Sequence, residues 1–114
     1  MRILEPGDRA SLGELVEREQ EAGRAVVLVG SGVDRHSVLA AFAEALGVRR
    51  ARGIRNLDAL ADTLRELDAS EGTTLVWEAT RVHDTDPRTY AAVAGLLADL
   101  EAECPDLRIV VDLR

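Results

Sequence analysis

Lysine is absent from the chain, cysteine occurs once, and only Phe42, Trp77 and Tyr90 are aromatic. Each shortage excludes something. A lone Cys104 cannot form an internal disulfide, which fits a reducing compartment and an expected cytoplasmic location. His36 and His83 lie far in sequence from each other and from Cys104, so no zinc-ligand spacing is present and no metal or cofactor is expected. With aromatics at 3%, Leu, Val and Ala have to build the core. No apolar run approaches membrane-spanning length, and the first residues lack an apolar signal region, so no membrane contact is expected.

The missing lysine leaves all 14 basic residues as arginine, against 21 acids. The resulting net charge of −7 repels nucleic acid and anionic surfaces and attracts basic partners. The same charge also serves plain solubility, so it excludes partners better than it names one. A length of 114 residues suits one core, and a hydrophobic share of 46% with 31% charged is that of an ordinary globular protein.

Along the chain, residues 1–9 contain Pro6 and Gly7 and read as an irregular lead-in. Ser11 is placed to cap a helix over 12–22, with Glu14 completing a capping box and Gly23 as the stop. The run AVVLV at 25–29 is continuous and β-branched, the pattern of a strand buried on both faces of a parallel sheet. Gly30-Ser31-Gly32 makes a turn. Asp34 caps a second helix with Val38, Leu39, Phe42 and Leu46 on one stripe, and Gly47 ends it. The glycine turn lacks the later glycine of a dinucleotide-binding loop, so no nucleotide site is expected. Residues 49–55 form a loop carrying Arg49, Arg50, Arg52 and Arg55. Asn56 caps a third helix with Leu57, Leu60, Leu64 and Leu67 as its buried stripe. TTLVW at 73–77 is a second strand, and 79–86 reads as a polar loop. Asp86 and Pro87 open a fourth helix to about Glu103, Pro105 blocks its continuation, and 107–113 is a last strand. The order α–β–α–α–β–α–β predicts an α/β fold: a three-stranded parallel sheet covered by about four helices.

The stretch Asn56-Leu57-Asp58-Ala59-Leu60-Ala61-Asp62-Thr63-Leu64 holds the main candidate site. Asp58 and Asp62 are four residues apart and share one helix face, where like charges destabilise slightly. Asp58 gains from the helix dipole in the first turn, and Asp62 gains less. Ala59 and Ala61 leave a low surface on which a basic protein can lay its arginines. A solvated helix face explains the same residues. Other clusters carry less. Asp86, beside His83 and Asp84, already has work as a helix cap. Ser31 and His36 lack a supporting acid, and Cys104 suits packing. Asp112 interrupts the last strand, either at its carboxyl end, where a parallel sheet places a crevice, or simply exposed.

The run Asn56-Leu57-Asp58-Ala59-Leu60, followed by Asp62 and Leu64, resembles the signature of the barstar family. Ala25-Val26-Val27, Leu75-Val76-Trp77-Glu78 and Glu103 with Asp106-Leu107-Arg108-Ile109-Val110 are similar, in order and spacing, to the family's first strand, second strand and final turn and strand. The resemblance covers about residues 25–113. It implies a barstar-like domain over 25–114 behind an N-terminal helical extension of residues 1–24. It also implies a helix that plugs a ribonuclease active site, with two aspartates standing in for RNA phosphates, and a third acid at Asp99. The implied partner-binding set is Asn56, Leu57, Asp58, Ala61, Asp62, Arg65 and Asp99, with no catalytic residue. The implied partner is a basic ribonuclease or toxin-like protein, as in bacterial toxin–antitoxin immunity, and the free protein is expected to be a monomer.

The departures from the family pattern are specific. Ala61 stands where a tryptophan is usual, the aromatics before the asparagine are replaced by Arg52, Gly53 and Ile54, and Arg65 follows Asp62 closely enough to pair with it. An interaction module with a different partner is therefore the alternative. A small enzyme is a third reading, for which the sequence supplies no phosphate-binding turn or acidic pocket. The arginine loop neutralises the nearby aspartates within the molecule, meets acids on a different partner, or touches nucleic acid, in that order of preference.

Overall fold

A computed structural model describes residues 1–47, 53–67 and 72–114. Its centre is a four-stranded, all-parallel sheet made of β1 (Arg2–Leu4), β2 (Ala25–Val29), β3 (Thr73–Glu78) and β4 (Leu107–Asp112), in the spatial order β1-β4-β3-β2. In register, Ala25 lies beside Thr73, Thr73 beside Leu107, and Arg2 beside Val110. The sequence pattern predicts three strands behind an irregular lead-in over residues 1–9; the structure instead makes residues 2–4 a fourth strand. Three residues are too few to show an alternating pattern, and only the free edge of β4 makes them a strand.

Five helices occur among the described residues: α1 (Leu12–Glu21), α2 (Arg35–Ala45), α3 (Leu57–Arg65), α4 (Thr80–Thr85) and α5 (Pro87–Glu103). Four of them start where a capping side chain was expected. Ser11 Oγ accepts from Glu14 N–H at 3.3 Å, Asn56 Oδ1 from Ala59 N–H at 2.7 Å, and Asp86 Oδ1 from Thr89 N–H at 3.2 Å. At Asp34 the cap is reciprocal: its carboxylate accepts from Ser37 N–H at 2.8 Å while Ser37 Oγ accepts from Asp34 N–H at 3.1 Å. Helix α4 replaces most of the expected polar loop. It is six residues long, has no side-chain cap, and buries only Val82, so its sequence carries almost no helical signal.

Strand alternation divides the interior in two. Leu75 and Trp77 of β3, Ile109 and Val111 of β4, and Val27 and Val29 of β2 face the main core, which is closed by residues of α2, α3, α4 and α5. Val76, Val110 and Val26 face the other way and are covered by Leu4 of β1 and by Leu12 and Leu15 of α1. Residues Thr73 to Trp77 of β3 are all buried. The β2 strand is not buried on both faces as its composition implied; it is the outer strand, and Leu28 is 56% exposed. An uninterrupted apolar run does not distinguish a central strand from an edge strand with one open side.

All three aromatics meet in the main core. Trp77 stacks on Tyr90, with ring centres 5.7 Å apart and planes 17° from parallel, and meets Phe42 at 5.7 Å and 52°. Arg24, just ahead of β2, ties the other end of the sheet. Its Nε donates to Thr74 Oγ1 at 2.9 Å, and its Nη2 donates to the carbonyls of Thr73 and Asp106, both at 2.8 Å. The planar guanidinium thus fixes β2, β3 and the approach to β4 with one side chain.

The Gly30-Ser31-Gly32 turn is a packing device. A Cβ on Gly32 would fall 2.7 Å from the Val38 amide nitrogen and 2.9 Å from the Ser37 carbonyl carbon, whereas one on Gly30 meets nothing within 4 Å. Gly32→Ala is therefore expected to destabilise the fold by about 1–3 kcal/mol, since backbone must move, while Gly30→Ala stays near wild type; urea unfolding of the two variants checks this. The backbone and side-chain bonds from Ser37 hold the Asp34 carboxyl below its usual pKa. Because that folded value is depressed, the cap stabilises above the ordinary aspartate pKa and is lost as pH falls through the lowered one. NMR titration of Asp34 is expected to show the low value, and Ser37→Ala to move it upward.

Candidate partner-binding face

Helix α3 is oriented by its apolar side. Leu57 is half-buried and Leu60, Ala61 and Leu64 are buried, the spacing of a single inward stripe. Ala61 is 5% exposed and belongs to the core, so it cannot meet a partner as expected from the sequence. The reason is its place four residues after Leu57 and three before Leu64, where a small side chain brings α3 close to its neighbours. Asn56 remains exposed in part and holds the helix start through Ala59.

With that stripe inward, Asp58, Asp62 and Glu66 fall on the exposed side at intervals of four, and the Asp62 side chain is 76% exposed. Arg65 joins this side to α5. Its Nη1 donates to Asp62 Oδ1 at 3.2 Å and its Nε to Glu103 Oε2 at 2.9 Å. The Glu103 carboxylate, and secondarily Asp62, raises the Arg65 pKa above the usual guanidinium value. The bridge joins the last turns of α3 and α5, and Leu64, Arg65, Glu103 and Cys104 line a common cavity of about 220 Å³ there. Asp99 is exposed one turn before Glu103, as Asp62 is one turn before Arg65. Asp58, Asp62, Glu66, Asp99 and Glu103 are all exposed on these two helices, and Arg65 pairs with two of them, Asp62 and Glu103.

Two of those acids, Glu66 and Glu103, are absent from the partner-binding set that the resemblance implies. The signal was the four-residue interval, which Glu66 continues from Asp62 and Glu103 from Asp99. The N-terminal segment does not cover the face: β1 lies on the β4 edge, and α1 packs on the opposite side of the sheet from α3. Arg49, Arg50 and Arg52 lie outside the described residues, and with them the reading that the arginine loop neutralises the aspartates. Arg55 is described and exposed immediately before Asn56.

The other candidates have local roles. Asp86 accepts from Thr89 N–H and, at 2.7 Å, from Thr89 Oγ1. Asp112, at the carboxyl end of β4, is held by the Arg114 backbone and guanidinium. Among the described residues no helix is long and apolar enough to cross a membrane.

A family model described as Barstar (barnase inhibitor) matches residues 23–113, most of the chain. No curated protein and no solved structure matches it. The match begins after α1, so β1 and α1 precede the matched segment.

The face depends on the cap that starts α3. Asn56→Ala is expected to cost about 1 kcal/mol of stability by leaving the Ala59 N–H without its acceptor, and Asn56→Asp to keep most of it. Chemical denaturation followed by circular dichroism measures both.

Proposed function

We propose that this chain, which belongs to the Barstar (barnase inhibitor) family, binds a basic ribonuclease or ribonuclease-like toxin and occludes its RNA-binding cleft with α3. The observation that carries this reading is the uncovered pair Asp58 and Asp62, four residues apart on the exposed side of a helix whose other side is locked into the core. Their carboxylates take positions that RNA phosphates would occupy. Asp99 on α5 adds a flanking charge, while Asn56 and Leu57 fix the start of the helix against the domain.

The physics is steric and electrostatic, and no catalysis by this chain is involved. A cleft built to hold a polyanion is lined with cations, and a chain of net charge −7 is steered toward it. Arg65 complicates the contact, because it already occupies one oxygen of Asp62. A partner guanidinium has to share that carboxylate or displace Arg65 onto Glu103 alone. The site of action proposed is the cytoplasm, where a single cysteine stays reduced.

A second reading keeps the surface and changes the partner. The exposed side of α3 has no aromatic residue, since Phe42, Trp77 and Tyr90 are all in the core stack, and interface hot spots favour aromatics. Under this reading α3 binds a non-nuclease protein and inhibits nothing.

Titration of a basic ribonuclease, with hydrolysis as the readout, separates the two. Stoichiometric inhibition is expected, with association slowing as salt rises. Asp62→Ala and Asp58→Ala are expected to weaken the complex by on the order of 2–5 kcal/mol where the acid becomes buried, and Glu17→Ala on α1 to leave it unchanged. Binding through α3 without inhibition selects the second reading, and indifference to both aspartate substitutions sinks the first.

A further inference from the structure

A net charge of −7 attracts every basic protein alike, so it does not tell one ribonuclease from another. A choice among them has to come from the local charge pattern, and the acidic face contains one departure, Arg65. Its Nη1 donates to Asp62 Oδ1 at 3.2 Å. Arg65 is not a loose neighbour of that carboxylate. Its Nε donates to Glu103 Oε2 at 2.9 Å, so the guanidinium is held from α5 as well as from α3, and the bond to α5 is the shorter. Glu103 is also the first cause of the raised Arg65 pKa, ahead of Asp62. The anchor on Glu103 remains when a partner takes Asp62.

Spacing brings Arg65 into any contact that Asp62 makes. Residues three apart on a helix are surface neighbours, and the Arg65 side chain is 47% exposed. A guanidinium has more N–H donors than its two bonds here use. A partner that covers Asp62 strips water from those donors and has to replace it with an acceptor. A partner cation set against Arg65 supplies a like charge instead.

We propose that Arg65 is a specificity-determining residue of this face: it turns away a cleft that is cationic throughout and admits one in which a carboxylate borders the cations. The inference rests on the ribonuclease reading above and adds the kind of cleft that satisfies it. In the matching complex a partner guanidinium bonds the second oxygen of Asp62, and a partner carboxylate accepts from Arg65. Two opposite charge pairs then lie side by side and fix the register of α3 in the cleft. Against a cleft without that acid, the charge of Arg65 offsets part of the attraction that Asp62 exerts. Discrimination between similar partners commonly needs such a repulsive element beside the attractive one.

Arg65→Gln tests this against Arg18→Gln, which removes the same charge from α1 on the opposite side of the sheet. Both are expected to unfold in urea close to wild type, because exposed ion pairs add little stability. Inhibition constants of the full chain and both variants are measured at fixed salt against a panel of basic ribonucleases. Arg65→Gln is expected to weaken inhibition about tenfold or more for the ribonuclease that the wild type inhibits best, and to strengthen it for those that the wild type inhibits poorly. Arg18→Gln is expected to shift the whole panel slightly in one direction. In the best-inhibited ribonuclease, cleft carboxylates are changed to amides one at a time, and one of them is expected to lose its effect in the Arg65→Gln background. Arg65→Gln that tightens every complex, that matches Arg18→Gln, or that couples to no carboxylate overturns the proposal and leaves the ribonuclease reading standing. A panel that neither the wild type nor Arg65→Gln inhibits sinks that reading, and this one with it.

Discussion

A parallel sheet needs cover on both faces, because its central strands carry apolar side chains above and below. In this protein the strand under that constraint is β3, where five consecutive residues, Thr73 to Trp77, are buried. Leu75 and Trp77 call for helices on one side, and Val76 for cover on the other. The main core answers the first need through α2 to α5. The second is answered by Leu4, Leu12 and Leu15, which precede the family-matched segment. Residues 1–22 are thus part of one folding problem with the rest, since they close the face that Val76 and Val110 open.

The acidic face follows from the same constraint at one remove. Once Leu60, Ala61 and Leu64 are drawn into the core, the helical period leaves Asp58, Asp62 and Glu66 no direction but outward. The bridge from Arg65 to Glu103 then ties α3 to α5 and sets the charges of the two helices side by side. Exposed ion pairs of this kind add little stability. Their effect is on the charge pattern: the Arg65 guanidinium, held by Asp62 and Glu103, places one positive charge within the acidic face.

Much of this was legible in the chain itself. Capping residues marked the starts of α1, α2, α3 and α5 because a capping side chain acts within three residues of sequence. The inward stripe of α3 was legible from its leucines, and with it the exposure of Asp58 and Asp62. What escaped was short or non-local. Three residues of β1 and six of α4 carry too little period to be seen, and their places depend on β4 and on the packing of Val82. The outer position of β2 depends on strand order, which composition does not encode. Ala61 was misplaced because alanine suits a surface and a tight helix contact equally well. The Arg65 pairing with Asp62 was visible as spacing, but Glu103, its nearer partner, is 38 residues away and meets it only through the fold.

The core stack also has a spectroscopic consequence. Trp77 is the only tryptophan, is fully shielded from solvent, and lies against Tyr90 and Phe42 with no hydrogen bond to its Nε1 among the described residues. An indole in such an apolar cage emits at short wavelength, and its emission moves to the red when water reaches it. The protein therefore contains a built-in fluorophore that reports loss of the main core and stays largely silent when a partner touches the outer side of α3.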